Sequence, residues 1–171
     1  LAGVDTYRLE LSHAGILQPI FDQFNEAQVA LLSKKISNKS ITGLTEFVRQ
    51  YPSEFDAFLV NLPHLFGQAE TVLADAKKLV TNSDILAAFA EIENLSHNFE
   101  QVTVDFGMLA KRSYYTGLMF RVFSDKVPYA FLSGGRYDKL FERFEAGAVS
   151  AVGWALDVDA SYEAIRETLG F

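Results

Sequence analysis

The residues best equipped for chemistry are gathered in two short stretches, 111–120 (KRSYYTGLMF) and 133–141 (SGGRYDKLF). In the first, Tyr114 and Tyr115 run into Thr116 and Gly117; in the second, Gly134 and Gly135 precede Arg136, Tyr137 and Asp138. Paired tyrosines offer a hydroxyl partner and an aromatic wall, and glycines in a strand let another group approach the backbone closely. The same pattern also describes an ordinary hairpin. Neighbouring strand residues point to opposite faces, so one ring falls in the core and the other on the surface. Gly134 and Gly135 then mark a strand end or bulge, and Arg136 with Asp138 a pair at a helix start, where aspartate suits the dipole. Local pattern leaves pocket and hairpin both open.

Other chemistry finds little support. His13, His64 and His97 sit in unrelated segments and match no metal-ligand spacing, so structural or solvated histidine is expected and no metal. No motif marks two carboxylates as general acid and base, no glycine-rich phosphate loop precedes a helix, and there is no nucleophile elbow. Neither a catalytic residue nor a cofactor is expected. The chain has no cysteine, which excludes disulfides and thiolate sites and fits a reducing compartment, so a cytoplasmic location is expected.

The elements that must position these residues follow from patterning. With 171 residues, 49% of them hydrophobic and 15 of them Phe, the chain can bury one sizeable core. A formal net charge of −7 argues against nucleic acid as a partner, since phosphate binding draws on clustered Lys and Arg, and the one dense basic spot is 110–112 (AKR). No run reaches the roughly 18 to 20 apolar residues of a membrane span, so no membrane association is expected. The start at Leu1 rather than Met reads as a fragment.

In the first residues, Tyr7, Leu9 and Leu11 alternate with Thr6, Arg8, Glu10 and Ser12, the period of a half-buried strand. From 14 to about 99 the apolar spacing is helical. Ile85, Phe89 and Ile92 share a stripe with Ser83 placed as its cap, and breaks at 37–40, 51–54, 61–64 and 81–84 divide the region into about six short helices. Strand periodicity returns with Val102, Val104, Phe106 and Met108, then Leu118, Phe120 and Val122. A glycine strand, a charged helix at 137–144, a small-residue strand and a closing amphipathic helix follow. Strands in series with short connections predict an antiparallel sheet backed by helices, an α+β fold in which 1–13 and 101–171 form the sheet part and 14–100 a helical insert.

The series YYTGLMF, SGGRYDKL and AVGWALDVD, in that order, resembles the last part of the class II histidyl-tRNA synthetase core. Segments 8–17, 31–44 and 62–79 are similar to one group of its relatives, the synthetase-like regulatory subunits of ATP phosphoribosyltransferase, the first enzyme of histidine biosynthesis. The resemblance covers nearly the whole chain and implies a single, partial class II synthetase-like domain. It maps Tyr114 and Tyr115 to a histidine side-chain pocket and Gly134 and Gly135 to the strand beside it, with Arg112 and Arg136 as candidates for its polar support.

Two departures bear on activity. Where synthetases carry an arginine at the head of the tyrosine motif this chain has Ala110, with Arg112 two places on as the candidate substitute, and the arginine of the motif 3 helix aligns with Ala160. Losing one preorganised cation costs on the order of 10²–10³ in rate, so aminoacylation is not expected. The resemblance implies a non-catalytic regulatory subunit of a glycosyltransferase complex. It would be required by the short-form ATP phosphoribosyltransferase catalytic subunit, with L-histidine as feedback effector and self-association in the full-length protein. The alternative is a truncated histidyl-tRNA synthetase or another synthetase paralogue.

Overall fold

The computed structural model describes residues 7–110, 115–140 and 149–169, with residues 168 and 169 as backbone only. The element order is β1 (Tyr7–His13), α1 (Ala14–Phe21), α2 (Glu26–Ser37), α3 (Ile41–Gln50), α4 (Asp56–Asn61), a 3-10 turn (Leu62–His64), β2 (Phe66–Gln68), α5 (Ala69–Ala76), α6 (Ser83–Ser96), β3 (Val102–Asp105), β4 (Leu118–Ser124), β5 (Ala130–Arg136), β6 (Val152–Leu156) and α7 (Val158–Leu169). Among the described residues the strands form one six-stranded sheet in the order β2-β3-β1-β4-β5-β6.

The α+β class is as expected, but the sheet is mixed. β4, β5 and β6 pair antiparallel in series, whereas β1 and β3 run parallel, Leu9 opposite Val102 and Leu11 opposite Val104. Parallel neighbours need a long crossover, and the helical segment supplies it: the chain leaves β1, forms α1 to α6 and returns beside its starting strand. That segment is also not wholly helical, because it contributes the edge strand β2.

Local signals explain the helices. Asn25 and Gln28 form a reciprocal capping box on α2 (3.0 and 2.9 Å), and Ser40 Oγ accepts the Gly43 N–H to cap α3. The cap of α6 is Asn82 rather than Ser83: Asn82 Oδ1 accepts the N–H groups of Asp84 and Ile85, and Ser83 is the first helical residue. Residues 141–144 of the charged helix expected at 137–144 fall outside the described residues, and 137–140 are not helical.

One face of the sheet is apolar. Leu9, Leu11, Val102, Val104 and Val122 join the core beneath α5 and α6, where Phe89 stacks on Phe106 at 4.9 Å between ring centres. Sheet and helical segment thus share one hydrophobic cluster. The opposite face carries more polar side chains, among them Gln68, Thr103, Glu10, Arg121 and Ser133, and the candidate site lies there.

Candidate functional site

The site begins with the space that glycine leaves. In the ladder of β4, β5 and β6, Met119, Gly135 and Gly153 stand opposite one another on one face. A Cβ on Gly135 would lie 2.7 Å from the Tyr115 ring, and one on Gly153 would lie 2.4 Å from the Tyr137 hydroxyl. Two tyrosines therefore rest against the sheet where it has no side chains, their ring centres 6.3 Å apart and their planes inclined by 60°. Gly134 faces the other way, its missing Cβ replaced by the Phe120 ring at 2.7 Å and the Gly153 carbonyl at 2.4 Å. The glycine pair thus serves both faces of the sheet at once.

Over the polar face opens a cavity of about 400 Å³, lined by Ala110, Tyr115, Arg121, Ser133, Tyr137 and Trp154 among others. That size suits a metabolite, the usual range being roughly 300 to 1,000 Å³. Its walls are aromatic, its floor is Ser133 with the glycine ladder, and Arg121 brings a cation. A second cavity of about 360 Å³ shares Tyr115, Met108 and Met119 with the first and runs on towards α1.

The expected residues divide. Tyr115 and Gly134 line the cavity and Gly135 lies under the Tyr115 ring, whereas Tyr114 and Arg112 fall outside the described residues. Tyr115 precedes β4 by three residues instead of starting a strand. Arg136 does not line the cavity. Its Nε donates to both oxygens of Asp138 at 3.1 and 2.9 Å, and it holds the Asp138 carboxyl below the usual carboxylate range. The Arg136 carbonyl accepts the Thr116 and Gly117 N–H groups, and Thr116 Oγ1 accepts the Asp138 N–H, so this cluster fixes the loop that presents Tyr115. Ala160, the second departure, is a buried residue of the first turn of α7, its N–H donated to Asp157 Oδ1.

Sequence reasoning missed Arg121, Tyr137 and Gly153 as cavity residues. Only Arg121 carried a local signal: continuing the alternation of β4 through 119, 121 and 123 sets it on the face opposite Phe120 and Val122.

At the head of α1, His13 is buried, and its Nδ1 accepts the Gly15 N–H at 2.9 Å, so the proton of the neutral ring sits on Nε2, 3.4 Å from Glu91 Oε2. Burial pushes the imidazole below its ordinary value and Arg136 adds to this, against the pull of Glu91. His64 lies in the 3-10 turn and His97 at the end of α6, and among the described residues no three His, Cys, Asp or Glu side chains gather to hold a metal. No helix is long and apolar enough to cross a membrane, again among the described residues.

Residues 1–160 match the family model described as histidyl-tRNA synthetase. A Streptococcus thermophilus protein named ATP phosphoribosyltransferase regulatory subunit is 48% identical, the alignment covering 100% of this chain and 54% of that protein. The chain spans about half the length of the curated relatives it matches. A solved structure described as an ATP phosphoribosyltransferase regulatory subunit/histidyl-tRNA synthetase from Bacillus halodurans superposes with a TM-score of 0.80 at 26% identity, over 95% of this chain and 45% of that one. The ATP phosphoribosyl transferase (HisG:HisZ) complex from Thermotoga maritima contains a chain alike in fold, with a TM-score of 0.58 at 14% identity over 88% of this chain and 53% of that one.

Proposed function

The chain belongs to the histidyl-tRNA synthetase family, and from that premise we propose that it works as part of a regulatory subunit of ATP phosphoribosyltransferase rather than as a synthetase. In this reading the full-length protein assembles with a short-form catalytic subunit, is needed for that subunit's activity, and conveys feedback inhibition by L-histidine. The catalytic subunit handles the substrates. The observation that carries the reading is the 48% identity, across the whole chain, to a protein named as such a regulatory subunit. The cavity supports it chemically: Ala110 lines the wall where a synthetase needs a cation, and Ala160 is buried with no charge to offer.

The effector site in this reading is the tyrosine-walled cavity. An imidazole fits between or against aromatic faces, which exclude water, while phenol hydroxyls supply hydrogen-bond partners. Inhibition then requires histidine to bind one state of the assembly better than another, since a ligand shifts an equilibrium only by its differential affinity.

The test is calorimetric titration of L-histidine into the full-length protein, alone and mixed with the catalytic subunit, with Tyr115→Ala as control. Binding lost in the variant together with loss of histidine inhibition of the phosphoribosyltransferase is the expected result. Binding unchanged by Tyr115→Ala moves the effector elsewhere, and histidine-dependent charging of tRNA by the full-length protein overturns the regulatory reading.

A further inference from the structure

The head of α1 is a crossing point of several elements. β1 ends at His13, which stands opposite Leu118 of β4 in the ladder, and α1 begins at the next residue. The Ala14 N–H donates to the Gly117 carbonyl at 3.0 Å, and the N–H groups of Thr116 and Gly117 donate to the Arg136 carbonyl at 3.0 and 3.4 Å. Gly117 has no side chain, and Arg136 fills that space: a Cβ there would lie 3.0 Å from the arginine Cδ. The first residue of α1, the loop that carries Tyr115 and the end of β5 are thus tied through one glycine. The second cavity borders this tie, lined by His13, Ala14 and Leu17 as well as by Tyr115 and Met119.

His13 holds the helical side of the tie. Its ring is buried, and Nδ1 accepts the Gly15 N–H at 2.9 Å, which requires a nitrogen without a proton. A proton on Nδ1 would set two donors against each other at that distance, so the cap must break and the ring must turn. Nε2 is a weak anchor against such a turn, because its contact with Glu91 Oε2 is long at 3.4 Å. The charged groups that face the ring oppose one another. Glu91 of α6 draws a proton to it, whereas Arg136 of β5, itself bonded to Asp138, repels one. α1 brings no acidic residue in its first turn, and Leu118 of β4 is apolar. Burial outweighs Glu91 and keeps the ring neutral in the closed arrangement.

We propose that the head of α1 is a proton-operated latch: neutral His13 clamps α1 to the loop that carries Tyr115, and protonation frees the two together, loosening the tyrosine wall that both cavities share. The closed form refuses the proton, and the released form, with its ring in water, accepts one near the ordinary histidine value of about 6.5. Opening therefore gains on closure as pH falls, by up to about tenfold between pH 7.5 and 5.5. The latch stands on the geometry of this junction; its effect on a bound ligand rests on the reading of the cavity as an effector site.

The test is hydrogen exchange, followed by mass spectrometry, on the full-length protein without ligand between pH 7.5 and 5.5, each rate divided by that of the unstructured sequence at the same pH. Segments containing the amides of Ala14 and of Thr116 and Gly117 should exchange faster than the buried stretch 85–92 of α6 throughout, and should speed up together by up to about tenfold. His13→Asn, which keeps a capping acceptor and cannot take the proton, should remove the acceleration. Glu91→Gln, which removes the group that draws a proton to the closed ring, should leave it at least as large. The latch is overturned if the loop keeps its protection while α1 opens, or if neither exchanges faster than 85–92. Acceleration in His13→Asn equal to that of the parent, or its loss in Glu91→Gln, overturns it as well. L-Histidine is then titrated at both pH values into the parent and His13→Asn, a comparison that cancels protonation of the ligand's own imidazole. Affinity should fall further in acid for the parent than for the variant; an equal fall overturns the link to the cavity. Absence of L-histidine binding to either protein removes the effector reading and leaves the latch standing on its exchange result.

Discussion

The glycines of the β5–β6 ladder do different work, and substitution should separate them. At Gly153 an added Cβ meets the far end of the Tyr137 side chain, which can swing away. Gly153→Ala should therefore leave the unfolding midpoint in urea nearly unchanged while weakening any ligand that packs on Tyr137, measured by titration. At Gly134 the same methyl meets the Gly153 carbonyl, a backbone atom that the ladder holds in place. Gly134→Ala should cost about 2–4 kcal/mol in urea unfolding, by overpacking and strand displacement. Both residues are glycines in a strand, and a sequence shows only that. Which neighbour fills the missing Cβ depends on the partner strands, and so does the assignment of one glycine to the site and the other to the fold.

Among the elements, the helix caps offer the sharpest checks. If Asn82 caps α6, Asn82→Ala should destabilise the protein by about 1 kcal/mol, whereas Ser83→Ala should cost only a few tenths. Thermal or denaturant unfolding decides between them. His13 caps α1 through Nδ1, which only the unprotonated nitrogen can do, and faces Glu91 from α6 and Arg136 from β5. Its folded-state value is lowered, so as pH falls below about 6.5 the unfolded chain takes up a proton that the folded one refuses, and stability falls. Glu10 acts in the opposite sense, its raised value adding stability as pH falls towards the ordinary carboxylate range. Between pH 7.5 and 5.5, His13→Asn, which keeps a capping acceptor and removes the titration, should lose less stability than the unaltered chain. An equal loss in both would show that His13 does not govern this pH range. Helix and strand periods were legible for most of these elements. The strand β2 was not, because three residues (FGQ) carry too little alternation to be seen within a helical region.

At the scale of the whole molecule, the two ends of the sheet differ. β2 is short and its Phe66 ring lies under the Lys39 ammonium, which also pairs with Asp105 at 3.0 Å. β6 pairs with β5, and its alternate side chains Val152, Trp154 and Leu156 are exposed, Trp154 by 71%, as are Val158 and Tyr162 of α7. A contiguous apolar strip along an edge strand is a ready surface for association. The 171-residue chain by itself should therefore self-associate as concentration rises, and Trp154→Lys should shift sedimentation towards monomer without changing the helical circular dichroism. A monomeric parent chain would show that the strip is too small or too twisted to pair.

By itself the sequence determined what is local. Alternation set which residues of a strand share a face, side-chain oxygens before apolar stripes set where helices begin, and the absence of cysteine with an acidic balance narrowed the chemistry. The motif series also sufficed to show the family resemblance, and with it Tyr115 and the glycine strand. The tertiary structure alone decided which strands are neighbours and in what register, since pairing between segments far apart in the chain is fixed by the packing of the whole core rather than by any one stretch. That register set β1 parallel to β3, laid Glu10, Arg121 and Ser133 in one line, brought Tyr137 over Gly153, and turned Arg136 away to hold the loop that carries Tyr115.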